Sequence, residues 1–197
     1  MSYITSRDFS HVRGLQGISD KQIEQHIALY NGYVTQTNLL FETLSSLSPN
    51  EFNTPLYNEL KRRFGWELNG AKLHEYYFDN LNATPSSLDP ESELARAITE
   101  RWGSYESWRQ DFIATGMIRG IGWAILYQDI HTGKLNNQWI TEHECNHFPH
   151  GHPLLVMDVW EHAYIGDYLA TERKKYIESY MNNIFWQKVM ERFNKNA

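Results

Sequence analysis

Two long helical periodicities, separated by one break, constrain the fold more than any other feature of the chain. From Ser19 the sequence runs Ser-Asp-Lys-Gln22, a capping-box pattern, and Ile23, Ile27, Tyr30, Val34, Thr37, Phe41 and Leu44 then recur at steps of three and four. Ser48, Pro49, Asn53 and Pro55 interrupt this pattern, and a second follows through Leu56, Leu60, Phe64, Leu68, Leu73, Tyr77 and Leu81. Two amphipathic helices joined by so short a break bury their apolar stripes against each other, which predicts an antiparallel helical hairpin.

Beyond Leu81 the texture changes. Residues 82–90 carry Thr84, Pro85, Ser86, Ser87 and Pro90 and read as a linker, dividing the chain into an N-terminal helical hairpin domain, 1–88, and a C-terminal α/β domain, 89–197. Helical patterns at about 91–101 and 105–115 lead into Gly116, Gly120 and Gly122. Residues 123–127 and 137–141, with a turn at 131–134, predict a β-hairpin, and the apolar run Pro153-Leu-Leu-Val-Met157 a buried strand. Residues 172–193 predict a closing helix with Tyr176, Tyr180, Ile184 and Val189 on its apolar side. The fold class is therefore α+β: a helical hairpin, then a mixed unit with a small three-stranded antiparallel sheet flanked by helices.

Composition removes several function classes. With 41% hydrophobic residues, among them 7 Trp, 12 Tyr and 9 Phe, the chain has ample core-forming surface and is not disordered. A net charge of −6 without a Lys/Arg cluster argues against nucleic acid as a partner. No apolar run approaches the roughly 18 residues of a membrane span, and residues 1–13 are polar without a signal-type core, so a cytoplasmic location is expected. The lone Cys145 cannot form an intramolecular disulfide. Histidine is the unusual entrant, with 9 copies, five of them from His143 to His162.

Asp158-Val-Trp-Glu-His162 follows the apolar strand directly, so a carboxylate and an imidazole emerge together from the core. A spacing of four lets both face one point, either as a buried Asp–His hydrogen bond or as ligands to one ion. His26 lies among Ile23, Ile27 and Tyr30 on the first helix, and His74 beside Leu73 and one turn from Tyr77 on the second. Each alone reads as a core or boundary histidine. Together the four make a three-nitrogen, one-oxygen set that suits Fe, Mn or Zn, and the absence of thiolates disfavours a structural zinc site. His147, His150 and His152, in His-Phe-Pro-His-Gly-His, read as a polar loop with a turn at Pro149 and Gly151.

The chain resembles the iron/manganese superoxide dismutases. Asp158-Val-Trp-Glu-His-Ala-Tyr164 matches that family's signature, supported by Leu73-His-Glu-Tyr-Tyr-Phe-Asp-Asn-Leu81, Trp102-Gly-Ser-Tyr105, Gly122-Trp-Ala124 and Trp186, over roughly residues 19–193. The resemblance implies His26, His74, Asp158 and His162 as ligands to one iron ion per subunit, with manganese as the alternative, and a solvent molecule as fifth ligand. It implies Tyr33, within Tyr33-Val-Thr-Gln-Thr-Asn38, as the gateway tyrosine. The family usually has one more residue between the first ligand and that tyrosine, so either the first helix lacks a one-residue bulge or Tyr30 takes the role. His143, in Glu142-His-Glu-Cys-Asn146, resembles members that hold the solvent ligand with a histidine, and Trp123 and Trp160 become walls of the site.

The same resemblance implies a homodimer in which Glu161 of one subunit orients His162 of the other, although Ile165 stands where many members have a second tyrosine that bridges subunits. The implied activity is dismutation of superoxide to dioxygen and hydrogen peroxide. This requires an ion that cycles between two oxidation states, which zinc does not do. Superoxide is an anion, so a chain with net negative charge needs a local positive funnel, for which Arg173 is the candidate. A catalytically silent metal-binding protein of this fold, and a non-redox metal hydrolase using Glu161 as base, are the alternatives.

Overall fold

The computed structural model describes residues 2–195. Helix α1, Asp20–Ser46, starts where Ser19 Oγ accepts a hydrogen bond from the Gln22 amide, and α2, Pro55–Asp79, starts where Thr54 does the same for Tyr57 with Pro55 in the first turn. A short 3-10 turn at Pro49–Glu51 joins them, and they pack as the expected hairpin. α1 is regular α-helix throughout, without a bulge. The capping box is only half made. The Gln22 side chain does not return to the cap but donates to the His162 carbonyl (2.7 Å) and accepts from the Gly166 amide (2.8 Å), tying the first turn of α1 to the loop that carries a candidate ligand.

Residues 82–90 form no helix or strand. α3, Glu93–Trp102, is capped by Ser92 and ends at Gly103, and α4, Tyr105–Gly116, is capped by Ser104. Three antiparallel strands follow, β1 Gly122–Asp129, β2 Leu135–Thr141 and β3 Gly151–Asp158, in the order β2-β1-β3. Gly122 opens β1 at φ 141°, and a Cβ there would lie 1.9 Å from the Ile140 carbonyl oxygen, so only glycine fits. β3 begins earlier than its apolar run suggests, at Gly151, and takes in His152.

The predicted closing helix is in fact two, α5 Arg173–Asn182 and α6 Trp186–Asn194. The backbone between them is diverted onto the end of α2: Ile184 bridges Leu81, Phe185 N–H donates to the Asn80 carbonyl (2.7 Å) and Asn82 N–H to the Asn183 carbonyl (3.0 Å). Groups used in this way cannot continue a helix. Tyr176, Tyr180, Ile184 and Val189 are nonetheless all buried.

β3 lies at the sheet's edge, and its outer backbone is satisfied by side chains instead of a further strand. Buried Asn80 accepts from the Val156 amide (3.0 Å) and donates to the Leu154 carbonyl (3.3 Å); the Tyr180 hydroxyl donates to Val156 O (2.7 Å) and that of Tyr176 to Asp158 O (2.8 Å). The strand that ends in Asp158 is thereby locked against the helices on either side.

Candidate metal centre

Four elements meet at one point. α1 supplies His26, α2 supplies His74, the last residue of β3 is Asp158, and the 3-10 turn Glu161–Ala163 supplies His162. Asp158 Oδ2 lies 3.1 Å from His26 Nε2, 3.0 Å from His162 Nε2 and 3.6 Å from His74 Nε2, and the four donor atoms are all within 4.8 Å of one another. Donor spacings of this size arise when each ligand stands roughly 2.1 Å from a shared ion. Asp158 Oδ1 accepts from the Trp160 amide (2.9 Å), which fixes the carboxylate's rotation.

The hydrogen bonds also fix which nitrogens are free. His74 Nδ1 donates to the Gly70 carbonyl at 2.6 Å, so Nε2 carries a lone pair; it is buried and makes no hydrogen bond. A buried imidazole lone pair without a hydrogen bond, beside a buried carboxylate and two further imidazoles, fits a metal cation. Burial pushes the His74 imidazole well below its ordinary pKa and that of His26 down as well, keeping both neutral. Burial alone would raise the Asp158 carboxyl, but the charge and hydrogen bond of His162 and the hydrogen bond from His26 outweigh it and hold the group ionised.

Around the candidate ligands stands an aromatic cage. Tyr33, seven residues after His26 on α1, packs on His74 with ring centroids 5.1 Å apart, and its hydroxyl is 2.9 Å from His143 Nε2. Gly70 makes room for it, since a Cβ there would come within 2.8 Å of the Tyr33 ring. Trp123 Nε1 donates to His143 Nδ1 (3.1 Å). Because indole only donates, Nδ1 is the bare nitrogen and His143 Nε2–H donates to the Tyr33 oxygen. His143 has no exposure, and burial brings its pKa down to about 4; burial likewise raises the Tyr33 phenol, helped by the charges of Asp158 and Glu67. Trp160 stacks between His143 (5.1 Å) and His162 (5.6 Å).

Tyr30 faces elsewhere: its hydroxyl accepts from the Arg7 amide (3.1 Å) and donates to Glu75 (3.3 Å). Arg173 is spent on the carbonyls of Ile118 (2.9 Å) and Gly120 (2.6 Å), while the guanidinium whose charge acts on Tyr33 and His143 is that of Arg63. Glu161 is exposed beside His162. The sequence reading also passed over Gln22, disguised as a capping residue, Gly70, and Trp66, whose ring lies 4.5 Å from His143. His74 and Gly70 at a spacing of four was the available signal for the second.

Of the histidine-rich segment, His147 Nε2–H donates to the His143 carbonyl (2.8 Å) and its Nδ1 accepts from the Tyr127 hydroxyl (3.1 Å), so it buttresses the site from behind. His150 is exposed against His131. Among the described residues, His26, His74, Asp158 and His162 are the one group of three or more such ligands able to hold an ion.

A buried set of three histidines and one aspartate, caged by aromatics between a helical hairpin and a three-stranded sheet, could hold one metal ion. Residues 90–192 match the family described as iron/manganese superoxide dismutases, C-terminal domain. The chain is 36% identical over 182 residues to a protein of Cupriavidus metallidurans named superoxide dismutase (Fe), covering 91% of this chain and 90% of that one. With the Aquifex aeolicus protein of the same name it shares 35% over 198 residues, 98% and 92% of the two chains. A Haloarcula marismortui superoxide dismutase (Mn) is 34% identical over 128 residues, 65% and 62% of the respective chains. The chain belongs to the iron/manganese superoxide dismutase family.

Proposed function

We propose that the chain is a superoxide dismutase whose His26, His74, Asp158 and His162 hold a single iron ion per subunit. The convergence of their donor atoms within 4.8 Å, around an imidazole nitrogen that has no other partner, carries the reading. Iron is favoured over manganese because the relatives with the widest coverage are named for iron. When bound there, the ion supplies one-electron chemistry, by which superoxide is alternately oxidised to dioxygen and reduced to peroxide.

The protein's residues perform the rest. Burial keeps His26 and His74 neutral and the pairing at Asp158 keeps it ionised, the charge states in which these three groups bind a metal. Reduction of superoxide to hydrogen peroxide consumes protons. With His143 Nε2–H donating to the Tyr33 oxygen, the Tyr33 hydroxyl hydrogen is free to point at a small anion near the ligands, and its raised pKa keeps it protonated. Arg63, ion-paired with Glu67, is the cation whose charge reaches both Tyr33 and His143 in a chain whose net charge is −6. No observation favours a hydrolase: Glu161, its candidate base, is exposed.

A homodimer belongs to the same reading, with Glu161 orienting His162 across the interface. The exposed Glu161 and Ile165, flanking the one ligand of the four whose side chain is a quarter exposed, support it. The reading also includes a division at residue 88, supported by a family match that starts at residue 90, and a cytoplasmic location, supported by a single cysteine. No helix of the described residues is long and apolar enough to cross a membrane. Cyanide-resistant superoxide consumption by purified protein containing one iron per chain is the expected result. A fully iron-loaded protein without dismutation would overturn the assignment, and manganese in protein from the native source, with full resistance to peroxide, would overturn the choice of metal.

A further inference from the structure

Glu142 occupies a backbone conformation that residues other than glycine seldom adopt, at φ 57°. β2 has just ended at Thr141, and a tight turn closed by Cys145 N–H donating to the Thr141 carbonyl (3.3 Å) sends His143 into the core while Cys145 stays exposed. The Glu142 side chain is not spent on solvent: its Oε2 accepts a hydrogen bond from Trp66 Nε1 on α2 at 3.2 Å. Trp66 is held from its other side, with the Arg63 guanidinium 3.9 Å from its ring centroid and Arg63 Nη2 in turn 2.6 Å from Oε1 of buried Glu67. The indole meets the His143 ring edge-on at 4.5 Å and the Tyr33 ring at 5.6 Å.

We propose that Glu142 and Trp66 form a clamp between β2 and α2 that sets where the His143 imidazole stands, Glu142 being a positioning residue that acts through His143. The hydrogen bonds of His143 to Trp123 and Tyr33 fix the ring's tautomer, and Trp160 stacks on its face. The Trp66 indole, 4.5 Å from the ring and the nearest aromatic to it, limits the ring's position from α2, and the carboxylate keeps that indole in register with the turn. For activity the inference rests on the dismutase reading above.

The test uses the iron-loaded full-length protein and, separately, 15N-imidazole NMR of the metal-free full-length chain. Glu142→Gly suits the left-handed backbone but removes the acceptor, Glu142→Gln keeps an acceptor, and Trp66→Phe keeps the ring but removes the donor. Glu142→Gly and Trp66→Phe are expected to retain iron, lose about tenfold in turnover and broaden or displace the His143 nitrogen signals. Glu142→Gln should stay within about twofold of wild type on both readouts, and the double variant Glu142→Gly/Trp66→Phe should lose no more than either single one. Glu142→Gly with wild-type turnover and wild-type His143 signals would reduce Glu142 to a turn residue and overturn the proposal, as would fully multiplicative losses in the double variant. An inactive wild-type protein would instead sink the dismutase reading, leaving the NMR comparison to decide the clamp.

Discussion

His26, His74 and His143 lie wholly inside the protein, each with at least one ring nitrogen aimed at another buried group, whereas the rings of His131 and His150 meet 4.4 Å apart on the surface. The second pair comes from the segment where histidines crowd most densely along the chain or from the turn beside it; two of the four candidate ligands come from helices where histidine is sparse. Density in sequence therefore did not locate the centre. Convergence of elements did: two helices held antiparallel and a strand end locked by Asn80, Tyr176 and Tyr180 bring far-separated donors together. Burial then leaves those imidazoles neutral and one of them, His74, with a nitrogen that has no hydrogen-bond partner among the described residues and that a bound ion would satisfy.

The comparison breaks most visibly at His74. His74→Ala removes the orphaned lone pair and the hydrogen bond to Gly70 together. Loss of a partner that merely orients a ligand costs about 10 to 100-fold, so loss of a ligand is expected to cost more than about 100-fold in activity and most of the bound iron. Metal analysis beside a dismutation assay decides it, and full iron occupancy in the variant would show that the centre has been drawn around the wrong residues.

One step outward, Tyr33→Phe keeps every candidate ligand but leaves His143 Nε2–H without its acceptor. Iron content should be unchanged, turnover should fall about tenfold, and stability should drop by about 1–3 kcal/mol for the buried donor left unpaired. Wild-type turnover in this variant would return the gateway role to Tyr30 or to neither.

Much of this architecture was legible before any coordinates because it is periodic. The hairpin and the sheet follow from steps of three and four and from one apolar run, while the four candidate ligands are implied by the family resemblance that a motif of adjacent residues carries. What was not legible depends on tertiary geometry. Gln22 has the sequence of a cap and is used as a tether; Trp66 and Arg63 sit on α2 with nothing local to mark them; Arg173 is drawn to two loop carbonyls. The closing helix breaks because Leu81 and Asn80, a hundred residues upstream, take its backbone hydrogen bonds. None of these contacts leaves a local pattern.

The difference between buried and surface imidazoles also has a pH signature. His143 is held down to about 4 by burial, against about 6.5 when unfolded, so its neutral form favours the folded state. That contribution, about 3 kcal/mol, is complete above pH 6.5 and is lost as pH falls from there through about 4. In metal-free protein, where no ion competes with the protons, the stability of His143→Gln measured by urea unfolding should therefore fall less steeply between pH 7 and pH 4 than that of wild type. Parallel curves for the two proteins would mean that His143 titrates normally in the fold.

The smallest effect is expected where the histidines are densest. His150 is exposed, and no further ligand joins it and His131 among the described residues. Its backbone carbonyl, which accepts from the Ile130 amide at 3.0 Å, survives substitution. His150→Ala should shift stability by no more than about 0.5 kcal/mol and leave iron content and turnover as they are. His147→Ala, only three residues away, is the contrasting variant. It removes the hydrogen bonds to the His143 carbonyl and the Tyr127 hydroxyl, and about 1–2 kcal/mol of stability should go with them. Thermal unfolding of the two variants side by side separates the cases: equal and negligible shifts would place His147 in the loop with His150, whereas a measurable loss of iron in His150→Ala would bring the surface histidines into the centre.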